Sequence, residues 1–181
     1  LRKQKITDAK SKILIKPGEA VFKSVSIGNN KLVFAGETSN HPKELYTFNL
    51  TEELIEQNTF HNDWLNEINL AVQKVVEYTA SDGLNIAGLL FYPVDYQEGK
   101  RYPLIVYVHG GPESTNSYGW NTAYNKWGQS EAGKGFFVFM PNYRAGSGRG
   151  YEFTMMGFAD AGGREFIDVI DGIEYLHNEG L

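Results

Sequence analysis

The residues best placed to do chemistry are His109-Gly110-Gly111-Pro112, which follow directly on the apolar run Tyr102 to Val108. Ligand sites in open α/β sheets lie beyond the carboxyl ends of strands. Paired glycines there let the main chain approach a reacting atom and aim amide donors at it, which suits stabilising an oxyanion as it develops. A plain glycine-proline turn with a hydrogen-bonded histidine is the simpler reading of the tetrapeptide; the strand before it and the motifs after it favour the catalytic one. Of the four histidines, His41 and His61 fall in polar connectors. His177 falls at a helix end, where a cation suits the dipole.

Other groups imitate active sites. Gly128-Gln129-Ser130-Glu131-Ala132 resembles a nucleophile elbow, but an elbow needs a strand before it and a helix after it, and here the strand follows. Gly128 to Gly135 imitates a phosphate loop with Gly135 in place of the metal-binding Ser or Thr. Both are read as parts of an amphipathic helix. Gly146, Gly148 and Gly150 follow a strand without dinucleotide spacing and are read as a packed rim loop. Asp160 and Asp168 are expected to complement a helix dipole or to pair with an arginine such as Arg144, not to act as catalytic acids.

The positioning elements fall into two textures. Up to about Leu50, the short apolar runs Ile13 to Ile15, Ala20 to Ile27, Lys31 to Ala35 and Glu44 to Leu50 are separated by turn formers, which predicts antiparallel strands. Asn29-Asn30 between two of them tolerates the positive φ of a tight hairpin. Three or four partly polar strands do not close a core alone, so a repeated sheet assembly such as a propeller blade is expected. Residues 51–72 show no clear period and read as a connector. Next, Val75 to Thr79 and Leu84 to Tyr92 flank Ser81-Asp82-Gly83, a hairpin signal. Tyr102 to Val108 and Phe136 to Met140 read as parallel strands covered on both faces. A crossover helix is predicted over Ala123 to Ala132, with Tyr124 and Trp127 one turn apart and a stop at Gly133. A second is predicted over Arg164 to Asn178, with Phe166, Ile170, Ile173 and Leu176 on its apolar face.

Composition bounds the partners. With 41% hydrophobic and 22% charged residues, the 181-residue chain has the makeup of a folded, soluble protein. A net charge of -5 leaves no basic face for nucleic acid or an anionic membrane, so small molecules or peptides are the expected partners. With no cysteine there is neither a disulfide, a thiolate zinc site nor a cysteine nucleophile, and no metal or cofactor is implied. The chain opens on Leu1-Arg2-Lys3-Gln4-Lys5 without an initiator Met, signal peptide or apolar span, which reads as a piece of something longer. Cytoplasmic is the default localisation.

The motifs, in order and spacing, resemble the prolyl oligopeptidase family, particularly its acylaminoacyl-peptidase and dipeptidyl-peptidase-like branch. Ser81 to Pro93 is similar to the first hairpin of that family's hydrolase domain, His109 to Pro112 to its oxyanion loop, Pro141 to Tyr151 to its Arg-Gly-Ser-rich loop, and Gly162 to Asp168 to the following helix start. Ala145 stands where the family usually has glycine. The resemblance implies the N-terminal half of an α/β-hydrolase fold, a mostly parallel sheet with an antiparallel edge hairpin, preceded by terminal β-propeller strands. The implied domains are 1–62 (end of the propeller), 63–74 (linker) and 75–181 (partial hydrolase domain). It also implies a serine peptidase acting on a peptide substrate, with a homo-oligomeric parent among the expected assemblies. Gly111, with Gly110 as neighbour, would supply an oxyanion-hole amide, His109 and Pro112 would support the loop, and Tyr143 and Arg144 would lie on the active-site rim. The Gly-x-Ser-x-Gly elbow and the triad's Ser, Asp and His are expected beyond Leu181, so the chain alone is expected to be inactive. An esterase or lipase on the same fold and a non-catalytic binding module are the alternatives.

Overall fold

The computed structural model describes residues 2–4, 11–15 and 20–181. Its strands are β1 (Arg2–Gln4), β2 (Ser11–Ile13), β3 (Val21–Gly28), β4 (Lys31–Glu37), β5 (Glu44–Asn49), β6 (Leu54–Gln57), β7 (Gln73–Thr79), β8 (Asn85–Phe91), β9 (Leu104–Val106), β10 (Thr122–Ala123), β11 (Lys126–Trp127) and β12 (Phe137–Asn142). Its helices are α1 (Gly128–Ala132), α2 (Tyr151–Met155) and α3 (Arg164–Asn178). Contacts divide the chain into two units, Leu1–Glu67 with Tyr118–Trp120, and Ile68–Ser117 with Asn121–Leu181.

In the first unit β3, β4, β5 and β6 form an antiparallel meander in sequence order. Asn29 (φ 46°) and Asn30 (φ 59°) form its first turn and bring Gly28 opposite Lys31, as their tolerance of positive φ predicts. Leu32, Phe34 and Phe48 are buried on one sheet face, with the Phe22 ring edge-on to Phe34 at 4.6 Å. β6 lies inside the segment read as a connector. Leu54 and Ile55 are adjacent and both exposed, so this strand carries no alternation for a sequence reading to find. Glu44 is buried at the start of β5 and accepts from Thr59 Oγ1, the His61 amide and Asn62 Nδ2.

The second unit is built on a sheet of order β7-β8-β12-β9. The β7–β8 hairpin closes through Gly83 (φ 90°) and pairs Thr79 with Asn85. Here the expectation of a mostly parallel sheet needs correction: β8 runs antiparallel to both β7 and β12, and β9–β12 is the parallel pair. β12 is central and buried on both faces, as its unbroken apolar run requires. β9 has a neighbour on one side, so only Leu104–Val106 of the longer apolar run keeps ladder geometry, and Val108 is 51% exposed.

Two helix readings also change. The expected crossover helix over Ala123 to Ala132 is a small β10–β11 hairpin followed by the five-residue α1. Tyr124 is fully exposed in that hairpin. Gly128 opens α1 at a close approach, where a Cβ would lie 2.6 Å from the Phe91 ring; the helix stops at Gly133 as predicted, and a left-handed glycine follows at Gly135 (φ 91°). α3 has the predicted bounds but is rotated: Asp168, Val169, Gly172 and Leu176 are buried, whereas Phe166 is 58% exposed. The absence of a side chain at Gly172 decides this, since a Cβ would stand 2.7 Å from the Phe139 ring and 2.8 Å from the Tyr78 ring.

Candidate active site: a glycine loop at the end of β9

Past β9 the main chain passes His109 and turns at Gly111, whose φ of 142° favours glycine; a Cβ there would lie 2.7 Å from the Glu113 nitrogen. The Gly111 amide has no acceptor among the described residues. Gly111 lines a cleft of about 460 Å³ with Val108, Pro112, Tyr143, Phe166 and Val169, and Ala161 and Glu165 complete the wall. A free donor at the carboxyl end of a strand, beside a largely apolar cleft, suits stabilising a developing negative charge.

The loop is held from β12 and the turn that follows it. The Asn142 side chain accepts from the Asn116 amide (2.7 Å) and donates to the Asn116 carbonyl (3.0 Å). The Ser147 amide donates to the Ser114 carbonyl at 2.9 Å. Gly146 permits this approach, because a Cβ there would lie 2.9 Å from the carbonyl oxygens of both Ser114 and Tyr143. His109 is buried, with its ring stacked on Tyr143 at 4.4 Å and 14°. The Tyr143 hydroxyl donates to the His109 carbonyl. Nδ1 of His109 lies 3.2 Å from the Gly110 carbonyl and 3.3 Å from the Tyr143 hydroxyl, a geometry that calls for the proton on Nδ1. Burial lowers the His109 pKa and keeps the ring neutral at pH 7. Nε2, also buried, has no partner among the described residues.

Beneath the turn lies an ion-pair network. Arg144 makes a two-pronged contact with Asp168, with NH2 to Oδ1 at 2.6 Å and Nε to Oδ2 at 2.9 Å, and its backbone amide donates to the same carboxylate at 2.9 Å. Its other edge bonds Asp82 at 2.7 and 3.0 Å. Arg164 also reaches Asp82, at 2.5 Å. Asp168 is fully buried and Arg144 is 5% exposed. The Arg144 hydrogen bonds hold Asp82 well below the ordinary carboxylate range, and Asp168 first, then Asp82, raises Arg144.

His109, Gly110, Gly111 and Pro112 thus share one loop with Tyr143 behind it. Tyr143 lines the cleft with a largely buried side chain, and Arg144, the next residue, sits in the ion-pair network. Asp168 pairs with Arg144 as its position at the helix start suggests, and Asp160 accepts from the Arg164 amide at 3.0 Å. Ser130 donates to the Trp127 carbonyl within the α1 turn, as a helical residue does and an elbow serine does not. Missed in the sequence were the Asn142–Asn116 pair and the Asp82 contact with Arg144. Asp-Gly read only as a turn, and nothing in a chain separation of 62 residues announces an ion pair. Ala145 stands in the left-handed region at φ 69°, the conformation a glycine there adopts without strain.

Residues 117–181 match the model of the prolyl oligopeptidase family. YuxL of Bacillus subtilis, an uncharacterised peptidase, is 30% identical over 135 residues, 75% of this chain and 20% of YuxL. The acylaminoacyl peptidase of Pyrococcus horikoshii superposes with a TM-score of 0.80 at 25% identity, over 93% of this chain and 26% of that one. The match places residues 117–181 in the prolyl oligopeptidase family. An acylaminoacyl peptidase in complex with Z-Gly-Gly-Phe-chloromethyl ketone superposes similarly, at a TM-score of 0.79 and 26% identity over 93% of this chain and 26% of that one. The chain therefore spans about a fifth of YuxL and about a quarter of these peptidases. The prolyl oligopeptidase match includes Tyr143, Arg144 and Asp168 and begins after the His109 to Pro112 loop. Among the described residues no helix is long and apolar enough to cross a membrane.

Proposed function

We propose that this chain supplies the oxyanion loop of a serine peptidase that hydrolyses peptide or acyl-peptide bonds. In this reading, residues 75–181 are the first part of an α/β-hydrolase domain, residues 1–62 the last strands of a propeller, and residues 63–74 the linker. The observation that carries it is the acceptor-free amide of Gly111 beside a cleft at the carboxyl end of β9. When a nucleophile attacks the scissile carbonyl, the oxygen gains charge; the Gly111 amide donates to it, with Gly110 and Pro112 fixing its direction and His109 holding the turn. The Ser, Asp and His of the triad come from outside residues 1–181, so the isolated chain has no turnover. The names of its peptidase relatives support a peptide substrate.

The test is turnover by the intact protein of an acylaminoacyl anilide, an aminoacyl anilide and an aryl ester side by side. Anilide hydrolysis is expected, together with a loss of about 10²–10³ in kcat for Gly111→Ala, whose Cβ would meet the Glu113 nitrogen. Hydrolysis of the ester alone would reassign the loop to an esterase. Turnover by the purified 181-residue chain would overturn the assignment of the triad to residues outside it.

A further inference from the structure

We infer that Tyr143 is a positioning residue for the Gly110–Gly111 amides, linking the glycine loop to the Arg144–Asp168 pair through His109; the inference rests on the peptidase reading for its catalytic consequence and on geometry alone for the linkage. Tyr143 touches His109 in two independent ways. Its ring stacks on the imidazole at 4.4 Å, and its hydroxyl donates to the carbonyl of His109, the peptide group that leads into Gly110. That hydrogen bond fixes the plane of the 109–110 peptide. With Nδ1 tied toward the Gly110 carbonyl, the peptide planes on both sides of Gly110 are set by one aromatic pair. Glycines have no side chains to restrict them, so without such a pair this stretch would sample many amide directions.

The other side of Tyr143 is equally constrained. The next residue, Arg144, has its backbone amide and its guanidinium bound to the fully buried Asp168 of α3. The Tyr143 carbonyl accepts from the Gly146 amide at 3.2 Å, closing the turn behind it. The phenol therefore projects from an anchored main chain into the stretch just past β9, whose last main-chain bond to β12 is the Tyr107 amide donating to Phe139. Asn142 and Ser147 hold the far end of the loop at Asn116 and Ser114, and the stretch between takes its direction from α3 through Asp168, Arg144, Tyr143 and His109.

Tyr143→Phe keeps the ring over His109 and removes only the hydroxyl. Backbone order at Gly110 and Gly111 of the intact protein, read by 15N relaxation, is expected to fall from the rigid range to below about 0.6 with α3 unchanged, because the hydroxyl's hydrogen bond to the His109 carbonyl is lost. In the intact protein, kcat on a peptide anilide is expected to fall roughly 10- to 100-fold while KM stays within about threefold, since a misdirected donor is felt in the transition state and not in ground-state binding. Inhibition by a peptide aldehyde, whose adduct carries the same oxyanion, should weaken by the same factor. A purely structural role would instead lower order in α3 and shift KM and kcat together. Unchanged order at Gly110 and Gly111 overturns the inference whatever the activity. Lost order with wild-type kcat overturns its catalytic half. Lost order in a protein that shows no anilide turnover even as wild type leaves the linkage standing and removes the peptidase reading.

Discussion

Asp168→Asn isolates the largest electrostatic commitment in the second unit. Asp168 is fully buried and accepts from the Arg144 backbone amide, Nε and NH2, so the substitution replaces an acceptor-only carboxylate by a group that faces donors with donors. Arg144, itself buried, keeps only Asp82. Removing one partner of a buried pair costs about 3–5 kcal/mol where the other charge is left unpaired, and the surviving Asp82 contact places this loss at the lower end of that range. At 1.4 kcal/mol per factor of ten, exchange protection in α3 should fall roughly a hundredfold. Hydrogen exchange resolved to α3 reads this without interference from the first unit. Arg144→Met combined with Asp168→Leu removes both charges; its remaining deficits are the Arg144 backbone amide, about 1–3 kcal/mol, and the Arg144 bonds to Asp82, which keeps Arg164 and contact with water. The double variant should therefore be more protected than Asp168→Asn. A loss of protection below about fivefold in the single variant, or a double variant no better than it, refutes the account of a buried charge left with one of its two partners.

Two further predictions follow from packing and protonation. Gly172→Ala puts a methyl 2.7 Å from the Phe139 ring, so despite alanine's better helix propensity the variant should lose about 1–3 kcal/mol in urea denaturation of the second unit. For Glu44, burial alone would raise the pKa, but hydrogen bonds from Thr59, Asn62 and the His61 amide outweigh it and the folded-state pKa is lowered. A group lowered in this way stabilises above its unfolded value, near 4.5, and that contribution disappears as pH falls through the folded value. Glu44→Gln should flatten the acid-side loss of stability of the first unit; an unchanged acid limb in a pH series of thermal melts would contradict it.

Much of the scaffold is decided by local chemistry and is therefore legible in the residues. Asn29-Asn30 and Asp82-Gly83 specify their turns because those types tolerate the backbone angles required, and the bounds of α3 follow from its polar, glycine-rich start and from Gly180. The unbroken apolar run of β12 announces a strand covered on both faces, and two glycines after an apolar run mark where the main chain can approach a ligand. Tertiary structure decided the rest. Which face α3 buries depends on the room Phe139 and Tyr78 leave at Gly172, a fact about residues 33 and 94 positions away. β6 became a strand because β5 offered it a ladder, with no alternation of its own. In the proposed reading, the order of the glycine loop depends on Tyr143 meeting His109 from the turn after β12, a turn that Arg144 and Asp168 tie to α3. Periodicity reports only how a residue relates to its own helix or strand, and the aim of the Gly111 amide is set by contacts that exist only once those elements have packed.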